Sequence, residues 1–100
     1  MDDVITLIEE TYTKDSIGQE IATETRTDIW ARITSVSRAE FYSGGQAGLR
    51  PDIVAETARI NYSGEKIAEW NSKRYSIYRT YFREDSDSIE LYLEPKTGNG

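Results

Sequence analysis

IWARITSVSRAEFYSGGQAGLRP, residues 29–51, starts in one conformation and finishes in another. Its first part reads as a strand, because Trp30, Arg32, Thr34 and Val36 alternate with Ile29, Ala31, Ile33 and Ser35. Ser37-Arg38-Ala39-Glu40 then has the form of a capping box, in which the serine hydroxyl and the glutamate satisfy free amides at a helix start. Gly44 falls where a left-handed helix stop belongs. The spacing therefore predicts a helix of barely two turns, marginal unless packed. Gly44-Gly45-Gln46-Ala47-Gly48 lacks the β-branched residues that favour a strand. The connection is about fifteen residues long, where a β-hairpin loop usually takes two to five. A loop of that length is either an idle flap or the working part of the molecule, presented by a rigid β framework. Its residues suit work: Gly44, Gly45 and Gly48 allow close approach of another chain, and Phe41, Tyr42 and Leu49 offer apolar anchors.

Outward from this stretch the chain reads as short strands. Val4 to Tyr12 opens one, Asp15-Ser16-Ile17-Gly18 turns it, and a threonine-rich arm over residues 20–27 runs on into the strand at Ile29, across a bulge near Asp28. Beyond the loop, residues 52–62 are expected as a strand. Asn61-Tyr62-Ser63-Gly64 reads as a hairpin turn into Ile67-Ala68-Glu69-Trp70, and Asn71-Ser72 as a second tight turn. From Tyr75 to Phe82 the alternation places Tyr75, Ile77 and Tyr81 on one face, with Tyr78 and Phe82 on the other. Glu84-Asp85-Ser86-Asp87-Ser88 is a solvated turn, and Ile89, Leu91 and Leu93 close the sheet before Pro95. The expected fold is all-β: a small antiparallel barrel or sandwich spanning residues 1–95, with a long loop at 37–51 carrying a short helix, and a disordered tail at 96–100. Trp30, Ile33, Ile77, Leu91 and Leu93 are the expected core, with Tyr75 and Tyr81 at its edge.

A chain of 100 residues can bury one modest core. It contains no cysteine and no histidine, which removes thiolate chemistry and the side chain most used as general base and transition-metal ligand. No apolar run approaches the roughly 20 residues of a membrane span, and the acidic N-terminus is unlike a signal peptide, so synthesis in the cytoplasm without export is expected. The net charge of −6 is uneven: residues 1–28 hold eight acids and two bases, whereas residues 73–83 hold four bases and no acid. An acidic chain is a poor general binder of nucleic acid.

Little in the sequence supports catalysis. Glu84, Asp85 and Asp87 fail the spacing of a calcium-binding loop. The glycines of 44–48 lack the lysine of a phosphate-binding loop, and no serine or threonine has an activating base. The chain reads as a non-enzyme with no cofactor. One constellation imitates a nucleic-acid surface: Lys73, Arg74, Tyr78 and Arg79 within KRYSIYRTYFR, basic and aromatic residues interleaved on one strand, as in sheets that stack single-stranded bases. The plainer reading is half-buried tyrosines, with arginines pairing acids of neighbouring strands and residues 84–94 supplying partners.

SVSRAEFYSGGQAGLRPD and WNSKRYSIYRTYFREDSDSIELYLE resemble the head-closure family of tailed bacteriophages, also called head–tail joining, head-completion or stopper proteins. The likeness extends to the opening hairpin ITLIEETYTKDSIGQEIATETRTDIWARI, and is most specific at Ser37, Glu40, Phe41, residues 45–51 and residues 73–80. It implies a small β-barrel with an extended loop, assembled as a ring, sixfold in preference to twelvefold, at the virion neck. A portal-associated adaptor would lie above the ring and a tail terminator or tail tube protein below. Genomic DNA would pass through without sequence-specific binding, and no membrane is involved. On this resemblance Ser43, Gly44, Gly45, Gln46, Ala47, Gly48, Leu49 and Arg50 correspond to the channel loop that holds packaged DNA, while Arg38, Glu40, Phe41 and Tyr42 are candidates for contacts with partners. A loop with three glycines in five residues is expected to be mobile in a monomer and ordered in the ring.

Overall fold

The computed structural model describes residues 2–96. Six strands form a closed antiparallel barrel: β1 (Asp2–Lys14), β2 (Glu20–Ser35), β3 (Ile53–Ala58), β4 (Ile67–Trp70), β5 (Lys73–Phe82) and β6 (Ser88–Pro95), in the order β1-β2-β3-β6-β5-β4. Closure comes from β4 on β1, where Leu7 faces Ala68 and Ile8 faces Ile67. A single helix, α1 (Arg38–Gln46), lies in the connection between β2 and β3, and a 3₁₀ turn (Arg59–Asn61) follows β3. The expected all-β barrel is therefore the fold. The expected tail at 96–100 lies almost wholly outside the described residues; Lys96 itself donates its amide to the Arg74 carbonyl at 3.0 Å.

Period-two alternation sets the core. Ile5 and Leu7 of β1, Ile29, Ala31 and Ile33 of β2, Ile53 and Ala55 of β3, and Ile89, Leu91 and Leu93 of β6 all point inward and are buried. Trp30, expected in the core, is 70% exposed. It is the even-numbered neighbour of two inward residues, so the pleat turns it out, where it faces Val4 across the strands. Trp70 packs against the core in its place and donates its indole N–H to Asp3 Oδ2 at 2.9 Å.

Two further expectations fail through a change of register. No bulge interrupts β2 at Asp28: the pairing with β1 is continuous from Asp2↔Arg32 to Lys14↔Glu20. The irregularity falls in β5 instead, between Ile77 and Arg79. One extra residue there reverses the faces, so Thr80 and Phe82 align with Leu91 and Ile89, while Tyr81 aligns with Glu90. Tyr75 is buried, but Tyr81 is 52% exposed, not at the core edge. Nor do β3 and β4 form a hairpin. After Ala58 the chain crosses the barrel end, because β3 is flanked by β2 and β6 and β4 by β1 and β5. The Asn71-Ser72 turn is a true two-residue hairpin turn, with φ of 52° and 63°. Positive φ at both central positions suits the right-handed twist of the strands it joins.

Two projections leave the barrel. Beyond Ile8, β1 pairs with β2 alone, so residues 9–14 and 20–25 form a two-stranded ribbon about 20 Å long by strand rise. The inward column changes there from Leu7 opposite Thr27 to Glu9 opposite Thr25 and Thr11 opposite Thr23, which is where the core stops. The molecule measures 50 by 30 by 25 Å along its principal axes. The second projection is the excursion of residues 37–51, closed at its neck by the Val36 amide donating to the Asp52 carbonyl at 3.2 Å.

Candidate functional site

The excursion starts as the sequence indicates and ends differently. Ser37 caps α1, its Oγ accepting from the Glu40 amide at 3.1 Å. The reciprocal half of a capping box is absent: the Glu40 carboxylate reaches across to β5, not back to the cap. The helix also passes through Gly44 and continues to Gln46. Its stop is Gly48, at φ +83°, with Leu49 N–H donating to the Gly44 carbonyl at 2.8 Å and Gly48 N–H to that of Gly45 at 3.1 Å. Those two bonds are a Schellman motif built one turn later than expected. Half of the presumed channel loop, residues 43–46, is thus helix, and residues 47–50 form the link back to β3.

Gly44 lies inside the helix because of what it touches. A Cβ built there would lie 2.3 Å from Cγ of Pro51, which is buried, whereas one at Gly45 would meet nothing within 4 Å. Gly44→Ala should therefore destabilise the helix packing by about 1–3 kcal/mol through overpacking. Gly45→Ala should stabilise the helix by up to about 1 kcal/mol. Paired melting curves of the two variants check the contrast; a shared sign would show that helix and Pro51 do not pack in this way.

Glu40 is the anchor that ties the excursion to the barrel. Its carboxylate is 14% exposed and accepts from Tyr78 Oη at 2.6 Å, from Arg79 Nε at 3.1 Å and from a second guanidinium nitrogen of Arg79. The Arg79 guanidinium lies 3.7 Å over the ring of Tyr92, whose hydroxyl donates to Glu90 at 2.7 Å. The bulge in β5 makes this possible, because it brings Arg79 opposite Tyr92 on the outer face. The hydrogen bond from Arg79 holds the Glu40 carboxyl below its usual range, against the opposing effect of burial. Burial first, then Glu40, pushes the Tyr78 hydroxyl up.

Glu40 therefore stabilises the clasp above the ordinary carboxylate range, and that contribution is lost as pH falls through its lowered folded value. Tyr78, with its value raised, contributes below the ordinary tyrosine range and stops doing so as pH rises through its folded value. Amide-exchange protection factors over Arg38–Gln46, corrected for the intrinsic pH dependence of exchange, should fall at acid pH in the native chain. In Glu40→Gln they should be low already at neutral pH and show no such acid step. The same variant should lose about 1–2 kcal/mol of stability, the scale of one charge-assisted hydrogen bond to a guanidinium that is itself partly exposed. A helix equally protected in both proteins would show that the clasp does not hold it.

The proposed nucleic-acid face is largely committed within the chain. Arg74 meets Glu24 at 3.2 Å and Glu69 at 3.9 Å, and Arg79 and Tyr78 are held by Glu40. Arg83 lies 3.4 Å from Glu56 and 3.5 Å from Glu90. Arginines pairing acids of neighbouring strands are thus observed. The partners are mostly not residues 84–94, however: helix α1, the ribbon and strands β3 and β4 supply them. Lys73 is exposed at the turn. Of the candidates for contacts with partners, Phe41 and Tyr42 are 53% and 63% exposed and meet edge to face at 5.9 Å. Arg38 is exposed, and Glu40 is spent internally. Arg50 donates its amide to Glu94 at 2.8 Å, and its side chain forms no ion pair among the described residues.

Sequence reasoning missed Tyr92 and Glu94 on the barrel, which support Arg79 and hold the Arg50 amide, and the packing role of Pro51 at the excursion's own end. Only Pro51, three residues past Gly48, left a signal. Among the described residues no three acidic side chains gather to hold a metal ion, and no helix is long and apolar enough to cross a membrane. The chain matches no protein-family model and no curated protein.

Proposed function

We propose that this chain is a structural head-closure protein of a tailed-phage neck, a ring subunit under the portal and adaptor that retains packaged DNA and joins head to tail. The observation that carries this reading is a closed barrel presenting a glycine-rich excursion, residues 37–51, on a fixed neck. It contains residues 43–50, the segment the resemblance assigns to the channel, and the residues fastening it, Glu40, Tyr78 and Arg79, fall in the stretches where the resemblance is most specific. An acidic chain also suits a DNA conduit, since it repels phosphate and offers few cations to replace its counterions.

The alternative, a barrel that binds single-stranded nucleic acid through residues 73–83, has less support. Three of its four cations already have carboxylate partners, so binding would first break ion pairs within the chain. Labelling the protein and imaging assembled virions tests the proposal. Density at the junction between portal and tail is the expected result, together with heads that lose their DNA and fail to join tails when the chain is absent. Label on the capsid shell or tail tip, or normal virions without the chain, would overturn it.

A further inference from the structure

We propose that the β1–β2 ribbon of one copy docks on the excursion of a second copy, its carboxylates meeting Arg38 and Arg50. This deepens the function proposed above, on which its setting in a neck ring rests.

The ribbon is incomplete by itself. Past Ile8 the two backbones pair only with each other, although Glu24 is tied to Arg74 of β5, and Tyr12, Ile17 and Ile21 are 61%, 75% and 45% exposed. An isolated two-stranded ribbon is marginal in water and gains from a surface to lie on. Its charge is one-sided: Glu9, Glu10, Asp15, Glu20 and Glu24 against Lys14. Arg26 and Arg74 take up Glu24, but Glu9, Glu10 and Glu20 form no ion pair among the described residues. Lys14 also stands unpaired, directly opposite Glu20.

The excursion has the complementary character. Phe41 and Tyr42 present an exposed aromatic pair, and Arg38 and Arg50 of the same excursion form no ion pair among the described residues. The excursion's one carboxylate, Glu40, is already held by Arg79. Two ribbons repel each other, as do two excursions, so the favourable pairing is ribbon on excursion. The two surfaces leave opposite ends of β2, whose 16 residues have a contour of about 50 Å, and no hydrogen bond or ion pair joins them among the described residues. Satisfying both within one chain is therefore not what the fold does; satisfying them between copies is. A contact between two different surfaces runs head to tail, which closes as a ring when the rotation allows. The small area predicts weak association in free solution.

The absence of cysteine makes the test direct. A spin label on Ile17→Cys is mixed with isotope-labelled native chain near millimolar concentration, and paramagnetic broadening is mapped on the unlabelled copy. Broadening should concentrate on residues 38–50. It should disappear near 1 M salt, where the Debye length is about 3 Å. It should also vanish in Arg38→Glu/Arg50→Glu and return when that variant meets a ribbon carrying Glu9→Lys/Glu10→Lys. Unchanged resonances of Leu91 and Leu93 verify the fold in each variant. Broadening elsewhere, none at all, or broadening indifferent to the charge swaps would overturn the contact. Each of those results would leave the neck assignment standing, because virion imaging tests that separately.

Discussion

Leu91→Ala should lower unfolding stability by about 2–5 kcal/mol, while Asp85→Ala should change it by no more than about 0.5 kcal/mol. Leu91 is fully buried in the middle of β6, aligned with Ala55 on one side and Thr80 on the other. Its neighbours are small, so the leucine itself fills the space between them, and its loss leaves a void. A barrel closed by hydrogen bonds on every strand cannot collapse around that void as an open sheet can, which puts the cost toward the upper end. For a domain of ordinary stability, about 5–15 kcal/mol, this removes a large fraction of the total. Asp85 sits in the turn between β5 and β6 with its side chain 81% exposed and only a 3.9 Å approach to Arg83. Chemical denaturation of both variants is the measurement. Equal midpoints would mean that the inward face of β6 is wrongly assigned.

That face was the most legible feature of the sequence. Ile89, Leu91 and Leu93 alternate with Glu90, Tyr92 and Glu94, and nothing in β6 disturbs the period. The same rule, applied strictly, would have placed Trp30 outside, since Ile29, Ala31 and Ile33 already occupy the inward positions of β2. In β2 parity, not side-chain size, decides which residues turn inward. In β5 parity itself fails, because the bulge at Tyr78 adds one residue and no glycine marks it. The missing hairpin between β3 and β4 has a different cause. Asn61-Tyr62-Ser63-Gly64 does bend the chain, with Gly64 at φ +93°, but a turn does not say which strands it leads to. Barrel closure decides that, and closure is not a local property.

The excursion was legible at its start and misleading at its end. Ser37 at the cap and Gly48 at the stop both follow from local backbone needs. Gly44 looked like a stop because an isolated helix has no other use for glycine. Its actual use is close packing on Pro51, a tertiary reason. Glu40 misled in the same way: a capping box satisfies amides nearby, yet this carboxylate gains more from a guanidinium and a phenol on β5, which shield and fix it.

Shortening the excursion should leave the barrel folded and the neck assembled, but heads should lose their DNA before tails attach. Within residues 43–50 only Gly44 is buried, and the neck bond from Val36 to Asp52 lies outside the deleted part. Replacing these residues with a short turn therefore removes no core side chain. It also keeps Glu40, so the remaining turn of α1 stays clasped to Arg79 and Tyr78. Thermal unfolding should stay close to native, since what is lost is the last helical turn, its cap, one packing contact and the Arg50 amide's bond to Glu94. If several such excursions meet around an axis, each truncated copy widens the opening, and the effect on retention should be close to all or none. Arg50 has two ways to act, as a contact to passing phosphates or as a pin to an acid on the next subunit. Both contacts depend on the guanidinium charge, so Arg50→Gln should weaken either one and Arg50→Glu should weaken it further. DNA held normally in heads with every excursion shortened, with docking to the neck verified, would sink the gating role and leave the chain as a spacer ring.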